Sequence, residues 1–548
     1  MSKHEEQLEK MLLGQLKITR ADLQTWRTDP YLMDPTVVYR FWNYIENAPA
    51  VAIIGDYDCD GIYASYILGD AIKSRFPGKR LAIRIPKRHA EGYGINMTIV
   101  EELKAKLPKD ALVITVDNGI AAANVLEELS NAGFKVIVTD HHEIGRNTMP
   151  KAEMVLDPAV DGVNEAFNGA WYWCGAAVAY KLCEQVVSEE EAKKLAVYAG
   201  IATVADCMPL KEGNWGLVKK SMQTFRDKKA PEALNNLLQG MRQNPEYANA
   251  ETFGFYLGPA TNAAGRITDD GPKLILSYLF EPTQQKCDQI IAYNEARKQI
   301  RDAEYELVKE QIQKSNQENA CPIWVAVPGL HEGIVGILAQ KVTEEYGVPA
   351  IVMTTSSEDA SLLKGSARSI QGVDIFQFLL KHSDLFTKFG GHEGAAGLTL
   401  PAENLEKAQK AQIDLNLQAI EEAKQEYIKI SHEEIPILCP IVEEFAPYGE
   451  GNPVPEFVID VDVALDNAEL FGSERNHLKI DKTLDGYRII HWFHEPNDLA
   501  DKNNFELIGT ISLDGFRGYD FASFNAREAV NIHNDIEMGR PDPEEVKE

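Results

Sequence analysis

The chain contains no run of 18 or more apolar residues, so no segment is long enough to span a bilayer as a helix. Met1 to Arg20 is polar and charged and lacks the apolar centre of a secretory leader. Seven cysteines are scattered over 548 residues without a C-x-x-C pair. That spacing excludes a dense disulfide framework and leads us to expect reduced thiols in a cytoplasm. A basic excess is also missing, because 55 Lys and Arg stand against 84 Asp and Glu, for a net charge of −29. The molecule as a whole therefore has no electrostatic footprint for nucleic acid, and weak non-specific binding to duplex DNA is expected. A local basic patch is not excluded by that average. No internal repeat or long low-complexity segment stands out. One hydrophobic core cannot organise a chain of this length, so three or four domains are expected.

What the chain does have is acid at the ends of apolar runs. Asp56-Tyr57-Asp58-Cys59-Asp60-Gly61 follows Val51–Ile54, and Asp117-Asn118-Gly119 follows Leu112-Val113-Ile114. Asp140-His141-His142 follows Val136-Ile137-Val138, and Asp206 follows Ile201-Ala202-Thr203-Val204. In an open α/β sheet the carboxyl ends of the strands converge on one crevice. Converging aspartates repel one another unless a cation holds them. The pattern predicts a two-metal phosphoester hydrolase. Asp58, Asp60, Asp117, His141 and Asp206 are the candidate ligands, with Asp56 either joining them or supporting them. His142 either ligates or acts as general acid and phosphate contact, and we favour the second role. Mixed carboxylate and imidazole donors suit Mn²⁺, with Mg²⁺ also compatible and Zn²⁺ disfavoured.

The organisation reads as two α/β lobes joined by a long helix, followed by a β-barrel of OB type. Residues 1–45 are expected to form a helical extension and 46–280 a catalytic domain. Its strands are expected at Val51–Ile54, Leu81–Ile85, Leu112–Val116, Val136–Val138 and Met154–Leu156. Gln284 to Asn319 lacks Pro and Gly and reads as one solvated helix, placed in a connecting segment 281–320. A second lobe at 321–432 has strands at Ile323–Val327, Ala350–Met353 and Leu398–Leu400, with a closing helix from Asn404 to Lys429. Pro436 to Pro440 reads as a linker. Alternating runs at 433–534 predict the small antiparallel barrel, and 535–548 an acidic tail.

Groups suited to phosphate lie elsewhere. They are Arg88, Arg266 in Asn262-Ala263-Ala264-Gly265-Arg266, and Ser366-Ala367-Arg368-Ser369. Gly390-Gly391-His392-Glu393-Gly394-Ala395-Ala396-Gly397 is a glycine-rich segment that permits close backbone approach.

Together these motifs resemble the DHH phosphoesterase superfamily, and Gly390 to Gly397 resembles the signature of its DHHA1 substrate domain. Ala205 to Leu210, Asn262 to Arg266, His331 to Ile337 and Tyr448 to Pro453 narrow the resemblance to the RecJ family of single-strand exonucleases. The resemblance covers roughly residues 45 to 530. It implies a 5′-to-3′ exonuclease on single-stranded DNA that releases 5′-mononucleotides in recombination and repair, as a monomer beside a single-strand-binding protein and a helicase.

By resemblance, Asp56 and Asp140 support the ligands and two divalent ions occupy the site. His142 and His392 would contact the scissile phosphate. Arg88, Arg266, Ser366 and Arg368 would hold phosphates, and Asn262, His331 and Gly391 would complete the substrate set. Tyr448, Trp492 and Phe493 are aromatic candidates in the barrel. The chain departs from the family pattern at Ala260, Leu330 and Ile62-Tyr63, where Tyr63 is expected to crowd the floor of the site. The alternative reading is a DHH-type phosphodiesterase acting on short oligonucleotides or cyclic dinucleotides, against which the extra barrel argues. A non-catalytic scaffold is disfavoured because every ligand position is filled.

Overall fold

The computed structural model describes residues 3–28, 32–145, 147–167, 172–370, 372–413, 427–460, 468–471, 477–491, 505–516 and 519–531. Two compact units divide the chain. The first comprises Met1–Pro86, Tyr93–Pro259 and Gln425–Glu548, and the second Lys87–Gly92 and Ala260–Lys424.

In the first unit, β1 (Val51–Ile54), β2 (Leu81–Arg84), β3 (Leu112–Val116), β4 (Lys135–Thr139) and β5 (Met154–Leu156) form a parallel sheet in the order β2-β1-β3-β4-β5. β1 and β3 are buried along their whole length. That is why β1 reads as a continuous apolar run, and β3 as one broken only by Thr115, rather than as alternating ones. The strand order reverses between β1 and β3, and a ligand crevice opens at such a point beyond the strands' carboxyl ends.

The carboxy-terminal segment forms a seven-stranded sheet in the same unit. Its strands are β11 (Ile428–Ile430), β12 (Glu456–Asp460), β13 (Ala468–Phe471), β14 (His477–Lys482), β15 (Tyr487–His491), β16 (Phe505–Phe516) and β17 (Tyr519–Asn531). The expectation of purely antiparallel pairing is corrected, because β11–β12 and β15–β17 are parallel. Pro436 to Pro440 is not a linker but part of the Ile435–Phe445 helix. Pro436 sits in its first turn, where the missing N–H costs nothing. Ile435, Leu438, Val442 and Phe445 follow helical spacing into the core.

That core also takes in the amino-terminal helices Lys3–Leu16 and Arg20–Thr28. Leu8, Leu12, Leu16, Leu23, Trp26 and Trp215 share one buried cluster with Phe445, Phe457, Ile489 and Phe524. Trp215 Nε1 donates to the Phe445 carbonyl at 3.0 Å. Lys219 Nζ donates to the carbonyls of Glu443 and Ala446, the acceptors left open at that helix end. Tyr448 packs at the edge of this core and donates its hydroxyl to Val442 O, while Trp492, Phe493 and the acidic tail lie outside the described residues.

The second unit has the mixed sheet β6-β7-β8-β10-β9, from β6 (Ile323–Ala326), β7 (Ala350–Thr355), β8 (Leu362–Arg368), β9 (Lys388–His392) and β10 (Ala395–Pro401). The polar stretch is one helix, Gln284–Lys314, which lies between the two sheets in chain order. The closing helix expected from Asn404 to Lys429 is not a single span. Helix Leu405–Ala408 ends, Ile413 N bonds to Cys321 O, and Lys429 lies in β11; 414–426 is outside the described residues. All seven cysteines are free, and among the described residues no helix is long and apolar enough to cross a membrane.

Candidate metal centre

Leaving β1, the backbone turns so tightly that a Cβ on Gly61 would strike the Asp56 backbone. This turn brings three aspartates together. Asp56 is buried and its Oδ1 accepts from Gly94 N at 3.1 Å. Asp58 caps the Cys59–Arg75 helix by accepting from Gly61 N at 3.0 Å. Asp60 takes one backbone N–H on each oxygen, from Gly175 at 2.6 Å and Ala176 at 2.7 Å, at the start of the Gly175–Cys183 helix.

After β3, Asp117 adopts a left-handed φ of 60°, a conformation that Asp and Asn reach more readily than other non-glycine residues. A Cβ on Gly175 would lie 2.5 Å from the Asp117 Cβ, so glycine there permits the approach. Asn118 latches the two strand ends, donating to Ile54 O and Val116 O and accepting from Ile95 N.

After β4, Asp140 accepts four bonds, from Ile120 N, His141 N, His142 N and His142 Nδ1. Burial alone would raise its pKa, but the His142 bond and charge outweigh that and hold it below the ordinary value. Burial likewise pulls His142 down, yet its bond to Asp140 and the charges of Asp140, Asp206 and Asp60 lift it to about 9. His141 is held below its ordinary value by burial and by the neighbouring His142.

Asp206 requires a correction. Ile201 to Val204 is not a strand but the end of the helix Glu189–Ala205, and Asp206 is its C-cap. An apolar run this short does not distinguish a buried strand from a buried helix.

These groups converge. His141 Nε2 stands 3.1 Å from Asp117 Oδ1, 3.5 Å from Asp60 Oδ2 and 3.6 Å from Asp206 Oδ2. Three sets of possible donors lie within 4.8 Å of one another: Asp56, Asp58 and Asp117; Asp60, His141 and Asp206; and Asp117, His141 and His142. The first two share no residue, so each set offers donors for a separate ion. The fit is also chemical. Asp117 Oδ1 and His141 Nε2 are buried and make no hydrogen bond, although they are 3.1 Å apart. Two ligands at right angles around an ion at ~2.1 Å stand ~3 Å apart. Burial together with Asp60, Asp58, Asp206 and Asp56 pushes the Asp117 carboxyl well up. A cation would relieve that repulsion.

The second unit gathers the other candidates. Ser366 and Arg368 on β8 face the amino end of the helix Val335–Tyr346. A Cβ on Gly336 would come within 2.9 Å of Arg368 Nη2 and 3.2 Å of Ser366 Oγ. Arg368 Nη1 donates to Ser366 Oγ at 2.7 Å. Arg266 Nη1 donates to Gly333 O at 2.9 Å, His89 Nε2 lies 3.2 Å from Arg266 O, and the His89 and His331 rings are 5.8 Å apart. Arg88 and Asn262 are half-buried in the same unit. Gly390, Gly391 and His392 lie in β9, paired with β10 as a hairpin in which Gly391 passes against Ala395 and Ala396. His392 is exposed.

The departures are absorbed by packing. Tyr63 is fully buried against Tyr198, with ring centroids 5.3 Å apart, and Leu330 joins a buried cluster. Ala260 is buried as well. Sequence reasoning missed Tyr93, whose hydroxyl donates to Asp117 O at 2.9 Å and lies 3.2 Å from His142 Nδ1. The available signal was its position between two glycines, both with left-handed φ.

Three family models match in chain order: DHH family, N-terminal domain at residues 50–208, DHHA1 domain at 322–416 and RecJ OB domain at 430–528. The chain belongs to the RecJ-like branch of the DHH/DHHA1 phosphoesterases. It is 30% identical over 451 residues to the single-stranded-DNA-specific exonuclease RecJ of Bacillus subtilis, covering 80% of this chain and 55% of that protein. The chain thus spans little more than half the length of that RecJ relative. The RecJ of Dickeya dadantii is 29% identical, with 74% of each chain covered. A Mn²⁺ complex of RecJ from Thermus thermophilus shares the fold, with TM-score 0.70, 23% identity and coverage of 95% of this chain and 78% of that one. A manganese-bound exonuclease RecJ gives TM-score 0.55 at 26% identity, over 69% of this chain and 92% of that one.

Proposed function

We propose that this chain degrades single-stranded DNA from its 5′ end, releasing 5′-mononucleotides during recombination and repair. The observation that carries this reading is the facing pair Asp117 Oδ1 and His141 Nε2, buried and without hydrogen bonds amid the other carboxylates. Asp58, Asp60, Asp117, His141 and Asp206 would hold two divalent ions, Mn²⁺ in preference to Mg²⁺. Bound there, such ions activate water and screen phosphate charge.

The chain's own groups do the rest. His142 has Nδ1 tied to Asp140, so Nε2 of its half-exposed ring, with the Tyr93 hydroxyl 3.5 Å away, is the nitrogen that would meet a phosphate oxygen. Asp140 fixes that ring, and Asp56 anchors the loop that carries Gly94 and Tyr93. Ser366 and Arg368 beside a helix amino end suit a terminal phosphate, because backbone N–H groups, a hydroxyl and a guanidinium all donate there. Arg88, Arg266, Asn262 and His331 extend that donor set. His392 would meet the scissile phosphate, with Gly391 allowing the backbone close. The carboxy-terminal domain would hold the strand beyond the cut.

The test uses one oligonucleotide labelled separately at each end, with Mn²⁺ and with His142→Ala as control. The 5′ label should appear at once as mononucleotide, the 3′ label only late, and the variant should be inactive. Early release of the 3′ label, or cleavage of dinucleotides alone, would overturn the proposal. Arg368→Ala should raise KM for a 5′-phosphorylated strand by about 10–100-fold, the worth of a hydrogen bond between charged groups. It should change KM little for a 5′-hydroxyl strand, and equal losses on both substrates would exclude a terminal-phosphate role.

A further inference from the structure

Asp206 is the one acid of the centre that no strand end positions. Its place depends on how the chain leaves the Glu189–Ala205 helix. Cys207 N bonds to Val204 O and Met208 N to Thr203 O, the paired bonds of a Schellman ending. The left-handed position of that motif usually holds glycine, yet here it is Cys207, at φ 54°. A strained residue persists only where its surroundings over-determine it. Upstream the helix does this.

Downstream, the segment Pro209-Leu210-Lys211 is clasped by the turn that opens the carboxy-terminal domain. Leu210 N donates to Glu450 O at 2.7 Å. A Cβ on Gly449 would lie 2.9 Å from Leu210, and one on Gly451 would lie 3.4 Å from Pro209 and 3.3 Å from Lys211. Gly451 itself has φ 71°. The turn is stiff: Gly449 and Asn452 exchange two backbone bonds, and fully buried Asn452 donates Nδ2 to Phe445 O at 3.2 Å and Pro447 O at 2.7 Å.

We infer that the Tyr448–Asn452 turn is a positioning element for Asp206, and that Asn452 and Gly451 set the affinity of the ion that Asp206 helps to hold. The inference rests on the proposed role of Asp206 as a ligand. The carboxy-terminal domain thereby contributes to the metal centre as well as to strand binding.

The test counts Mn²⁺ bound to the full chain by the electron paramagnetic resonance of free Mn²⁺, with melting of the metal-free protein alongside. Asp206→Asn should weaken one of two Mn²⁺. Asn452→Ala should weaken the same ion about tenfold, the lower end for a residue supporting a ligand, and leave the other unchanged. Gly451→Ala, which adds a methyl against Pro209 and Lys211 and strains the left-handed backbone of the turn, should act in the same direction and decides the matter if Asn452→Ala does not fold. Wild-type Mn²⁺ affinity in the folded variants, with Asp206→Asn impaired, would overturn the inference alone. Unchanged binding in Asp206→Asn would instead overturn the ligand reading on which it rests.

Discussion

Asp117→Asn should lower turnover by roughly 10³-fold while making the metal-free protein more stable. The first effect follows from the position of Asp117, which belongs to two of the three donor sets and faces His141 at 3.1 Å. An amide in its place gives an ion a neutral donor, and several kcal/mol of transition-state stabilisation correspond to about that loss. The second effect has the opposite sign because the same carboxylate, buried among Asp56, Asp58, Asp60 and Asp206, is repelled by all of them when no cation is present. Relief of about 1 kcal/mol would raise the melting temperature by roughly 2 °C. Asn also accepts the left-handed backbone at this position, so it separates chemistry from strain in a way that Ala would not. Melting with and without Mn²⁺ checks both claims, since the variant should melt higher without the ion and gain less from it. A variant that melts lower without metal would show that Asp117 is a structural acid.

Removing residues 425–548 should yield a protein that aggregates rather than a smaller nuclease. The deletion strips the carboxy-terminal partners from the cluster of Leu8, Leu12, Leu16, Leu23, Trp26 and Trp215, all at most 5% exposed. Losing the packing around even one large core side chain costs about 3–5 kcal/mol, and this deletion affects six residues at once. Size-exclusion chromatography and limited proteolysis are the measurements, with cleavage expected first in the Lys3–Leu16 and Arg20–Thr28 helices. A soluble monomer that resists protease there would refute the shared core. The same reasoning means that lost activity after truncation does not distinguish a strand-binding role from a structural one. Point changes on the carboxy-terminal sheet are the better probe of strand binding.

Much of the catalytic sheet was legible because its strands are buried on both faces. Val51–Ile54 and Met154–Leu156 are uninterrupted apolar runs and Leu112–Val116 is broken only by Thr115, and each lies where the runs indicate. The convergence of Asp56, Asp58, Asp60, Asp117, Asp140 and His141 followed from parallel topology alone. Asp206 joined the right cluster for the wrong local reason, because a fully buried helix loses the polar stripe that would mark its period. β8 and β9 went unread because Gly365, Gly390 and Gly391 carry no apolar alternation. Their pairing comes from backbone bonds within the sheet. Pro436 and Pro440 hid a helix by composition. The supports of the site, Gly175 under Asp117 and the amides that hold Asp60, depend on residues more than fifty positions apart, and no local pattern announces them.

The core that joins Leu8 to Phe524 also has a history in time. Its members are separated by some five hundred residues of chain. At a synthesis rate of 5–20 residues per second, the amino-terminal leucines emerge roughly 25–100 s before their partners exist. Through that interval Trp215 can already meet Trp26, but Leu8, Leu12 and Leu16 lack the carboxy-terminal side chains of their cluster, so this core closes only after the last sheet is made.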